Sequence, residues 1–398
     1  MGFTTGRELH PALKIGCCSI ETNYRNFISD CQPAILKNYY NFSPISHVDT
    51  CNLSTEEVSR TVHIHARQKD LHGYTGHDAK EKGCTVNFPA GENVTSVNYP
   101  RGDDAVLWSA GETFCADVTL RYYHPASLNG KCIDWSLTCG NTVAASGSIE
   151  LPEETHGLHS CGTISFSCPA CKKAAMYQLN LSIAGTGIQN HYELYLYPAM
   201  DSVDLSVPQI TRNGHSVSLT NDWKQACALL SEGKRVLYLP EEISESLEGF
   251  YCTDFWCYPM FRDICNWMKK PVAVGTMGLL IQQEHPALHS FCSHSYATPQ
   301  WYAIVSHSRC AILDDCTDTG YRPIVQMIDN FERNHKLGIL MEGNAGAGKL
   351  MICTSRLSEI TERPEVRQFA ASVLDYMTSD AFAPSQTLDI EKLSHIFA

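Results

Sequence analysis

The hydrophobic pattern of this chain changes near residue 200, and that change constrains the fold more than any other feature of the sequence. Before it, short runs alternate apolar and polar residues between turn formers such as Asn129-Gly130 and Gly140-Asn141. After it, continuous apolar runs alternate with helical patterns. A period of two is typical of antiparallel sheets with one buried face, whereas continuous apolar strands indicate a sheet covered by helices. The sequence therefore predicts two domains of different architecture.

The first pattern predicts a β-sandwich over residues 103–198. β-Branched and aromatic residues alternate along its runs, and turn formers separate them at the spacing of a sandwich. Its strands are expected at Thr113–Tyr122, Cys132–Thr138, Tyr177–Ile183 and Tyr192–Tyr197. Residues 1–98 have weak periodicity, and we leave that region without an assigned fold.

The second pattern predicts an α/β domain over residues 205–398. A helix is expected at Asp222–Ser231 with Asn221 as its cap, and a long closing helix at Pro364–Met377. Five short apolar strands are expected between them, at Val236–Leu239, Val272–Thr276, Ala311–Leu313, Leu337–Met341 and Leu350–Cys353. Alternating strands and helices favour a layered α/β sheet.

Composition excludes several classes of function. A net charge of −13 provides no basic surface for phosphate groups, so nucleic acid and anionic membrane are poor partners and neutral ligands such as sugars fit better. No apolar run approaches the roughly 18 residues of a membrane helix. The first 18 residues lack the apolar core of a secretory signal, which predicts a cytoplasmic chain. The 19 cysteines are odd in number and dispersed, as expected of reduced thiols.

Several ordered blocks of residues resemble the C-terminal, non-barrel region of family 2 glycoside hydrolases of the bacterial β-galactosidase type. The blocks are Ser109–Asp117, Ile133–Leu137, Ile183–Tyr192, Tyr321–Asn330, His335–Gly338 and Gly348–Met351. The resemblance covers roughly residues 103–385. It implies an immunoglobulin-like β-sandwich followed by an appended α/β domain that resembles glutamine amidotransferases. Members of this family are commonly exported, which leaves the compartment open.

The resemblance implies a fold without the activity. In those enzymes two catalytic glutamates lie in an eight-stranded barrel, which needs about 250 residues, whereas about 100 precede residue 103 here. We find no Gly-x-Cys-x-Gly elbow for amidotransferase chemistry. The chain is therefore expected to be an accessory or remnant module of such a hydrolase, partnered by a glycan or by a catalytic glycosidase chain. An autonomous carbohydrate-binding protein and a hydrolase with an unrecognised site remain alternatives.

The candidate ligand-binding residues lie in the α/β half. Flat aromatic rings pack against pyranose faces, which favours Trp256, Trp301 and Tyr302, although core packing explains them equally well. Asp314 and Asp315 follow an apolar strand, and the carboxyl edge of an open α/β sheet is where ligands usually bind. A capped loop is the simpler interpretation of that pair.

One motif has the spacing of a phosphate-binding loop. Gly343 to Lys349 places glycines and a lysine as such a loop does, after an apolar strand. Leu350 replaces the hydroxyl residue that would hold magnesium, and the residues after it predict a strand in place of the required helix. We therefore predict a glycine-rich hairpin turn.

Potential metal ligands occur in three places. Cys168 and Cys171 have redox or zinc half-site spacing but lie in a predicted turn between strands. His285 and His289 are four residues apart, yet Pro286 suits the first position of a helix, so His285 is expected to cap or pack. A third group comprises His63, His65, His72 and His77. The spacing of these histidines matches no known zinc signature, and we expect no metal, no cofactor and no catalytic residue.

Overall fold

The computed structural model describes residues 84–87, 94–99, 106–122, 126–249, 267, 278–329 and 334–398. The chain divides into two compact units, Met1–Ala199 and Met200–Ala398. Strand residues outnumber helical residues in the described ranges, so the multidomain fold of helices and strands predicted from the sequence is a β-rich one.

The first unit contains two sheets. Its strands are β1 (Cys84–Asn87), β2 (Val94–Tyr99), β3 (Leu107–Ser109), β4 (Thr113–Tyr122), β5 (Cys132–Cys139), β6 (Thr142–Glu150), β7 (Gly157–Ser167), β8 (Ala175–Ile183) and β9 (Gln189–Tyr197). One sheet has the order β1-β2-β4-β7 and the other the order β3-β9-β8-β5-β6. All pairs are antiparallel except β3 with β9, which is parallel.

Alternation along the strands builds the core between the two sheets. In β4, Phe114, Ala116, Val118 and Leu120 are all buried, while the residues between them are more exposed. The same cluster takes alternate residues of β8 and β9 from the other sheet: Leu179, Leu181, Ile183, Tyr192, Leu194 and Leu196. Side chains on one face of each strand therefore meet across the interface, as in a sandwich.

The predicted sandwich strands all occur, with small changes at their ends. The sheet also takes in β1 and β2, which belong to the region that sequence patterns left without a fold. β2 pairs with β4 through five residues, from Val94↔Arg121 to Asn98↔Asp117. The sandwich sheet therefore begins before residue 103.

The second unit contains one large sheet and four helices in its described residues. Its strands are β10 (Gln209–Arg212), β11 (His215–Thr220), β12 (Arg235–Tyr238), β13 (Ser246–Glu248), β14 (Gly278–Ile281), β15 (Arg309–Ile312), β16 (Val325–Ile328), β17 (Lys336–Ala345) and β18 (Gly348–Cys353). Its helices are α1 (Trp223–Ser231), α2 (Trp301–Ser306), α3 (Pro364–Met377) and α4 (Ile390–Phe397). The predicted strand Val272–Thr276 lies outside the described residues.

The large sheet is mixed. Its main path is β10-β11-β12-β18-β17-β15-β13, and β16 pairs with both β17 and β14. Only β11, β12 and β18 are mutually parallel, and every other described pair in this sheet is antiparallel. The layered α/β sheet expected from the sequence thus contains a short parallel centre with antiparallel additions.

Helices cover both faces of this sheet. Val236 and Tyr238 of β12 belong to a core cluster that also contains Trp223 of α1 and Phe397 of α4. Leu237, which lies between them, shares a small void with residues of α3 on the opposite face. Successive residues of one strand therefore contact different helical layers. Among the described helices, none is long and apolar enough to cross a membrane.

Helix α1 begins one residue later than predicted, and its cap is Asp222 in place of Asn221. Asp222 has extended backbone angles (φ −94°, ψ 118°), so it cannot belong to the helix. Its carboxylate accepts a hydrogen bond from the Gln225 N–H at 3.1 Å, which satisfies a free donor of the first turn. Helix α3 has the predicted bounds, with Pro364 at its start.

Candidate functional site

Asp314 hydrogen-bonds to residues at the start of β17. Its Oδ2 lies 2.5 Å from His335 Nδ1, and its Oδ1 accepts the Lys336 N–H at 2.9 Å. Asp329 accepts the His335 N–H at 3.0 Å. Asp315 is exposed beside this loop. The Asp314 contacts are those of a capped loop, and neither aspartate lines the cleft described below.

The two aromatic candidates that the structure describes differ in how far they are buried. Trp301 is fully buried and meets Phe291 and Phe369 edge-on at 4.9 and 5.4 Å. A ring enclosed by core residues cannot stack on a sugar, so the prediction of Trp301 as a glycan contact is corrected to core packing. Tyr302 is half-buried in the first turn of α2. Trp256 lies outside the described residues.

The glycine-rich motif forms a β-hairpin, as predicted. β17 and β18 pair from Leu340↔Cys353 to Ala345↔Gly348, which leaves a two-residue turn. Gly346 has φ +59°, a left-handed value that favours glycine at the first position of such turns. Lys349 Nζ donates to the Phe382 carbonyl at 2.6 Å, so its ammonium is held within the fold.

His285 caps a short 3₁₀ helix, Pro286–Leu288, as expected. Its Nδ1 accepts the Ala287 N–H at 3.2 Å, which leaves Nε2 to donate to Glu342 Oε1 at 3.2 Å. Tyr376 O–H donates to Glu342 Oε2 at 2.9 Å. Burial raises the pKa of Tyr376, and the Glu342 carboxylate raises it further. The buried Glu342 and Tyr376 and the half-buried His285 form a polar network between β17, the 3₁₀ helix and α3.

The metal candidates do not assemble into a site in the described part of the chain. Cys168 and Cys171 lie in the connection between β7 and β8, as predicted. No group of three or more histidine, cysteine, aspartate or glutamate side chains in the described residues is arranged to hold a metal ion. The group from His63 to His77 lies outside those residues.

A cleft of about 410 Å³ opens at the carboxyl ends of the three parallel strands. The strands end in register, because Thr220 of β11 pairs with Tyr238 of β12, and Tyr238 pairs with Ile352 of β18. The loops that leave these strands therefore lie side by side. Ligands of open α/β sheets usually bind at such an edge, and we take this cleft as the candidate functional site.

The loops after β11 and β12 provide polar groups that are linked to one another. Asn221 Nδ2 donates to Glu241 Oε1 at 2.6 Å, which joins the two loops across the cleft. The buried Thr220 hydroxyl donates to Gln225 Oε1 at 2.5 Å and accepts the Asp222 N–H at 3.1 Å. Asn221, Gln225 and Glu241 are exposed. Planar amide and carboxylate groups are therefore presented to a ligand in a defined arrangement.

The loop after β18 provides the third polar wall. Ser355 is 3% exposed and donates its hydroxyl to the Ile304 carbonyl at 2.7 Å. The Arg356 N–H donates to the His307 carbonyl at 2.9 Å. These bonds fix the backbone, while the guanidinium of Arg356 is exposed and lies 3.6 Å from Glu359 Oε1.

Leucines supply the apolar part of the lining. Leu205 comes from the segment before β10, Leu239 follows β12, and Leu357 follows β18. All three also line a small void of about 10 Å³ together with Leu237, Cys353, Ala370 and Val373. Because they share this void, the three leucines lie next to one another and form one wall of the cleft, here called the leucine wall.

Sequence patterns missed this cleft, although they contain a signal for it. Each of three buried strands is followed within three residues by a hydrogen-bonding side chain: Asn221 after β11, Glu241 after β12, and Ser355 with Arg356 after β18. What the pattern did not reveal is that these strands are parallel and adjacent. Asp314 and Asp315 follow the end of β15, which lies outside the parallel group.

Two family models match the chain. Residues 218–398 match a family described as a domain of unknown function (DUF8487), and residues 112–198 match another described in the same way (DUF8488). These ranges contain most of the second unit and most of the sandwich, and neither description assigns an activity. No curated protein matches the chain in sequence.

Similar solved structures include an engineered protein, which is 11% identical with a TM-score of 0.19 and covers 28% of this chain and 21% of that chain. They also include the β-glucuronidase of Parabacteroides merdae, which is 8% identical with a TM-score of 0.18 and covers 49% of this chain and 30% of that chain. The chain spans less than a third of the length of either structure. Likenesses this weak carry no argument about fold or function.

Proposed function

We propose that this chain is a carbohydrate-binding accessory module of a glycoside hydrolase-like system, and that its second unit binds a small saccharide in the strand-end cleft. The observation that carries the proposal is the lining of that cleft. Amide, hydroxyl, carboxylate and guanidinium groups from three loops surround one opening beside the leucine wall. A sugar presents both donors and acceptors, together with apolar C–H surfaces, and this lining offers groups complementary to each.

The charges of the cleft favour a neutral ligand. Glu241 and Arg356 are the charged residues of its lining, and their formal charges cancel. The whole chain carries −13, which disfavours polyanions. A volume of about 410 Å³ lies near the lower end of the roughly 300–1,000 Å³ of most ligand sites. A monosaccharide or disaccharide fits these conditions.

The cleft lacks the groups for glycoside hydrolysis. A retaining glycosidase holds two carboxyl groups about 5 Å apart across the sugar. Among the described residues that line this cleft, Glu241 is the sole carboxylate, and it accepts a hydrogen bond from Asn221. A binding role therefore explains the lining better than a catalytic one.

The proposal extends to the architecture and the partner. We propose that the sandwich is immunoglobulin-like and that the second unit resembles amidotransferase-like sheets, on the strength of the residue blocks shared with family 2 hydrolases. A catalytic glycosidase chain is the proposed partner. An autonomous carbohydrate-binding protein would use the same cleft, and co-purification with a glycosidase separates these two possibilities.

Calorimetric titration with methyl glycosides of galactose, glucose and glucuronic acid tests the proposal. We expect one of the neutral sugars to bind, and Asn221→Ala and Glu241→Ala each to weaken that binding by about tenfold, because each removes hydrogen bonds to the ligand. Glu242→Ala is the matched control, since Glu242 is exposed, adjacent in sequence and outside the cleft lining.

Two results would contradict the proposal. The first is that none of the sugars binds to the intact chain. The second is turnover of nitrophenyl galactoside that Glu241→Gln abolishes, which would make the cleft an active site.

A further inference from the structure

We infer that the ligand of the cleft is a glycoside with an apolar substituent, whose sugar contacts the polar loops and whose substituent packs on the leucine wall. This inference rests on the proposed function and makes it more specific. It assigns the ligand two chemically different parts, because the lining itself has two such parts.

The lining contains two clusters of different chemistry, and the polar residues Ser355 and Arg356 adjoin Leu357 of the apolar one. Hydrogen bonds connect Asn221 to Glu241 and Thr220 to Gln225, so these groups lie together around the ends of β11 and β12. The leucines of the leucine wall lie next to one another, because Leu205, Leu239 and Leu357 line the same void. A ligand that fills the cleft therefore meets hydroxyl-binding groups at the ends of β11 and β12 and methyl groups at the leucine wall.

The leucine wall is open to a ligand. Leu205 and Leu239 are half-buried, whereas Leu357 is 5% exposed. The partial exposure of two leucines leaves apolar surface in contact with water inside a concave site. Covering such surface with an apolar group is favourable, because it removes both apolar surfaces from water.

The void behind the wall supports the same conclusion. Its volume of about 10 Å³ is at the lower limit of the roughly 10–15 Å³ that one water requires. Every residue that lines it is apolar or a cysteine, so a water there would lack hydrogen-bonding partners. Small movements of the leucine side chains into this space would widen the wall for a ring or a short alkyl chain.

A series of glycosides that differ only in the substituent tests the inference. For the sugar that binds as its methyl glycoside, we expect the propyl and phenyl glycosides to bind about tenfold more tightly, with a negative heat-capacity change that grows with apolar area. Nuclear magnetic resonance titration or calorimetry with the intact chain measures both quantities. This arm needs no variant and therefore does not depend on whether a variant folds.

A variant tests whether the apolar substituent binds at the leucine wall. Leu205→Ala is expected to reduce the phenyl preference, which is the ratio of the phenyl to the methyl glycoside affinity, from about tenfold to about threefold or less. Val203→Ala is the matched control, because Val203 lies in the same segment but outside the cleft lining.

The outcomes separate the two proposals. Equal affinities for methyl, propyl and phenyl glycosides overturn the inference and leave saccharide binding intact. A phenyl preference that survives Leu205→Ala unchanged also overturns it, since the substituent would then bind elsewhere. Failure of every glycoside to bind removes the proposed function, and the inference with it.

Discussion

The two units of this chain use β-strands in different ways. In the first unit the strands are almost all antiparallel, and hairpin or arch connections leave both ends of each sheet. In the second unit three adjacent strands run parallel and end in register, so three loops leave from one edge. The described cleft of about 410 Å³ lies at that edge.

This difference shows why a small set of parallel strands can create a site. An antiparallel pair sends its two successive loops to opposite ends, whereas parallel neighbours send theirs to the same end. In the second unit, three parallel strands inside a mostly antiparallel sheet are enough to bring polar groups from distant parts of the sequence together. In the sandwich, the strands of both sheets instead enclose one core.

The rates of thiol alkylation should differ most between two buried cysteines of the second unit and one half-buried cysteine of the sandwich. Burial raises the pKa of the Cys310 and Cys353 thiols in the second unit to about 12. Only the thiolate reacts with iodoacetamide, so at pH 8 these thiols should react about a thousandfold more slowly than an ordinary cysteine. Cys115 of the sandwich is half-buried and should react faster than these two. Mass spectrometry of timed alkylation of the native protein measures the rates.

Denatured protein is the control for this experiment, since all cysteines should then react at similar rates. Labelling of native Cys310 as fast as Cys115 would show that the second core is more open than described here.

Loss of a sandwich core ring should give the largest change in stability. Phe114 is fully buried, with Phe166 stacked at 4.6 Å and Trp108 at 5.1 Å. We expect Phe114→Ala to lower the free energy of unfolding of the first unit by about 3–5 kcal/mol, because it leaves a cavity. Urea denaturation followed by tryptophan fluorescence measures the loss.

Val143→Ala is the control, since Val143 is 58% exposed on β6 and should change stability by less than about 0.5 kcal/mol. Saccharide binding by the second unit should be unaffected by Phe114→Ala. A loss below about 1 kcal/mol would mean that the two sheets do not form the tightly packed core described above.

The second unit contains a polar network around Glu342, in contrast to the apolar packing around Phe114 of the sandwich. Glu342→Ala removes the acceptor of both Tyr376 O–H and His285 Nε2–H. We expect a loss of about 1–3 kcal/mol, because buried donors without an acceptor carry that cost. Glu342→Gln keeps acceptor oxygen and should lose less.

Glu232→Ala is the matched control, since Glu232 is 58% exposed in an ion pair with Lys234 and should contribute little. Circular dichroism during urea denaturation compares the three variants. Equal stability of Glu342→Ala and the unchanged chain would contradict the structural role of the network.

Two glycines should respond with opposite sign. Gly346 has φ +59° in the β17–β18 turn, so Gly346→Ala should destabilise the second unit by about 1–2 kcal/mol. Gly187 of the sandwich has no neighbour within 4 Å of an added Cβ and no positive φ. Gly187→Ala should therefore stabilise by about 0.4–1 kcal/mol, because the unfolded chain loses freedom.

Melting temperatures of these two variants provide the measurement. A stabilising effect of Gly346→Ala would indicate that the hairpin turn has a different conformation.

Local patterns predicted much of the fold. The strand Thr113–Tyr122 and the helix Pro364–Met377 have the predicted bounds, because a period of two or of 3.6 is visible over ten or more residues. The predicted cap of α1 was wrong by one residue, since Asn221 and Asp222 are both good caps and only the backbone angles distinguish them. Patterns also did not reveal that β2 joins the sandwich sheet.

Local patterns predicted less of the candidate site. The sequence left Trp301 open between a sugar contact and a core residue, and its burial depends on Phe291 and Phe369, which pack around it. Asp314 was correctly placed after a strand, yet its partners His335 and Lys336 come from another strand. In both cases the deciding neighbours are distant in sequence.

The sequence alone determined where several strands and the helices α1 and α3 form, together with the change of architecture near residue 200, because hydrophobic periodicity is a local property. Only the tertiary structure decided that β11, β12 and β18 are parallel neighbours, because strand order and direction depend on pairing between distant segments. That pairing brings Asn221, Glu241 and Arg356 to one cleft.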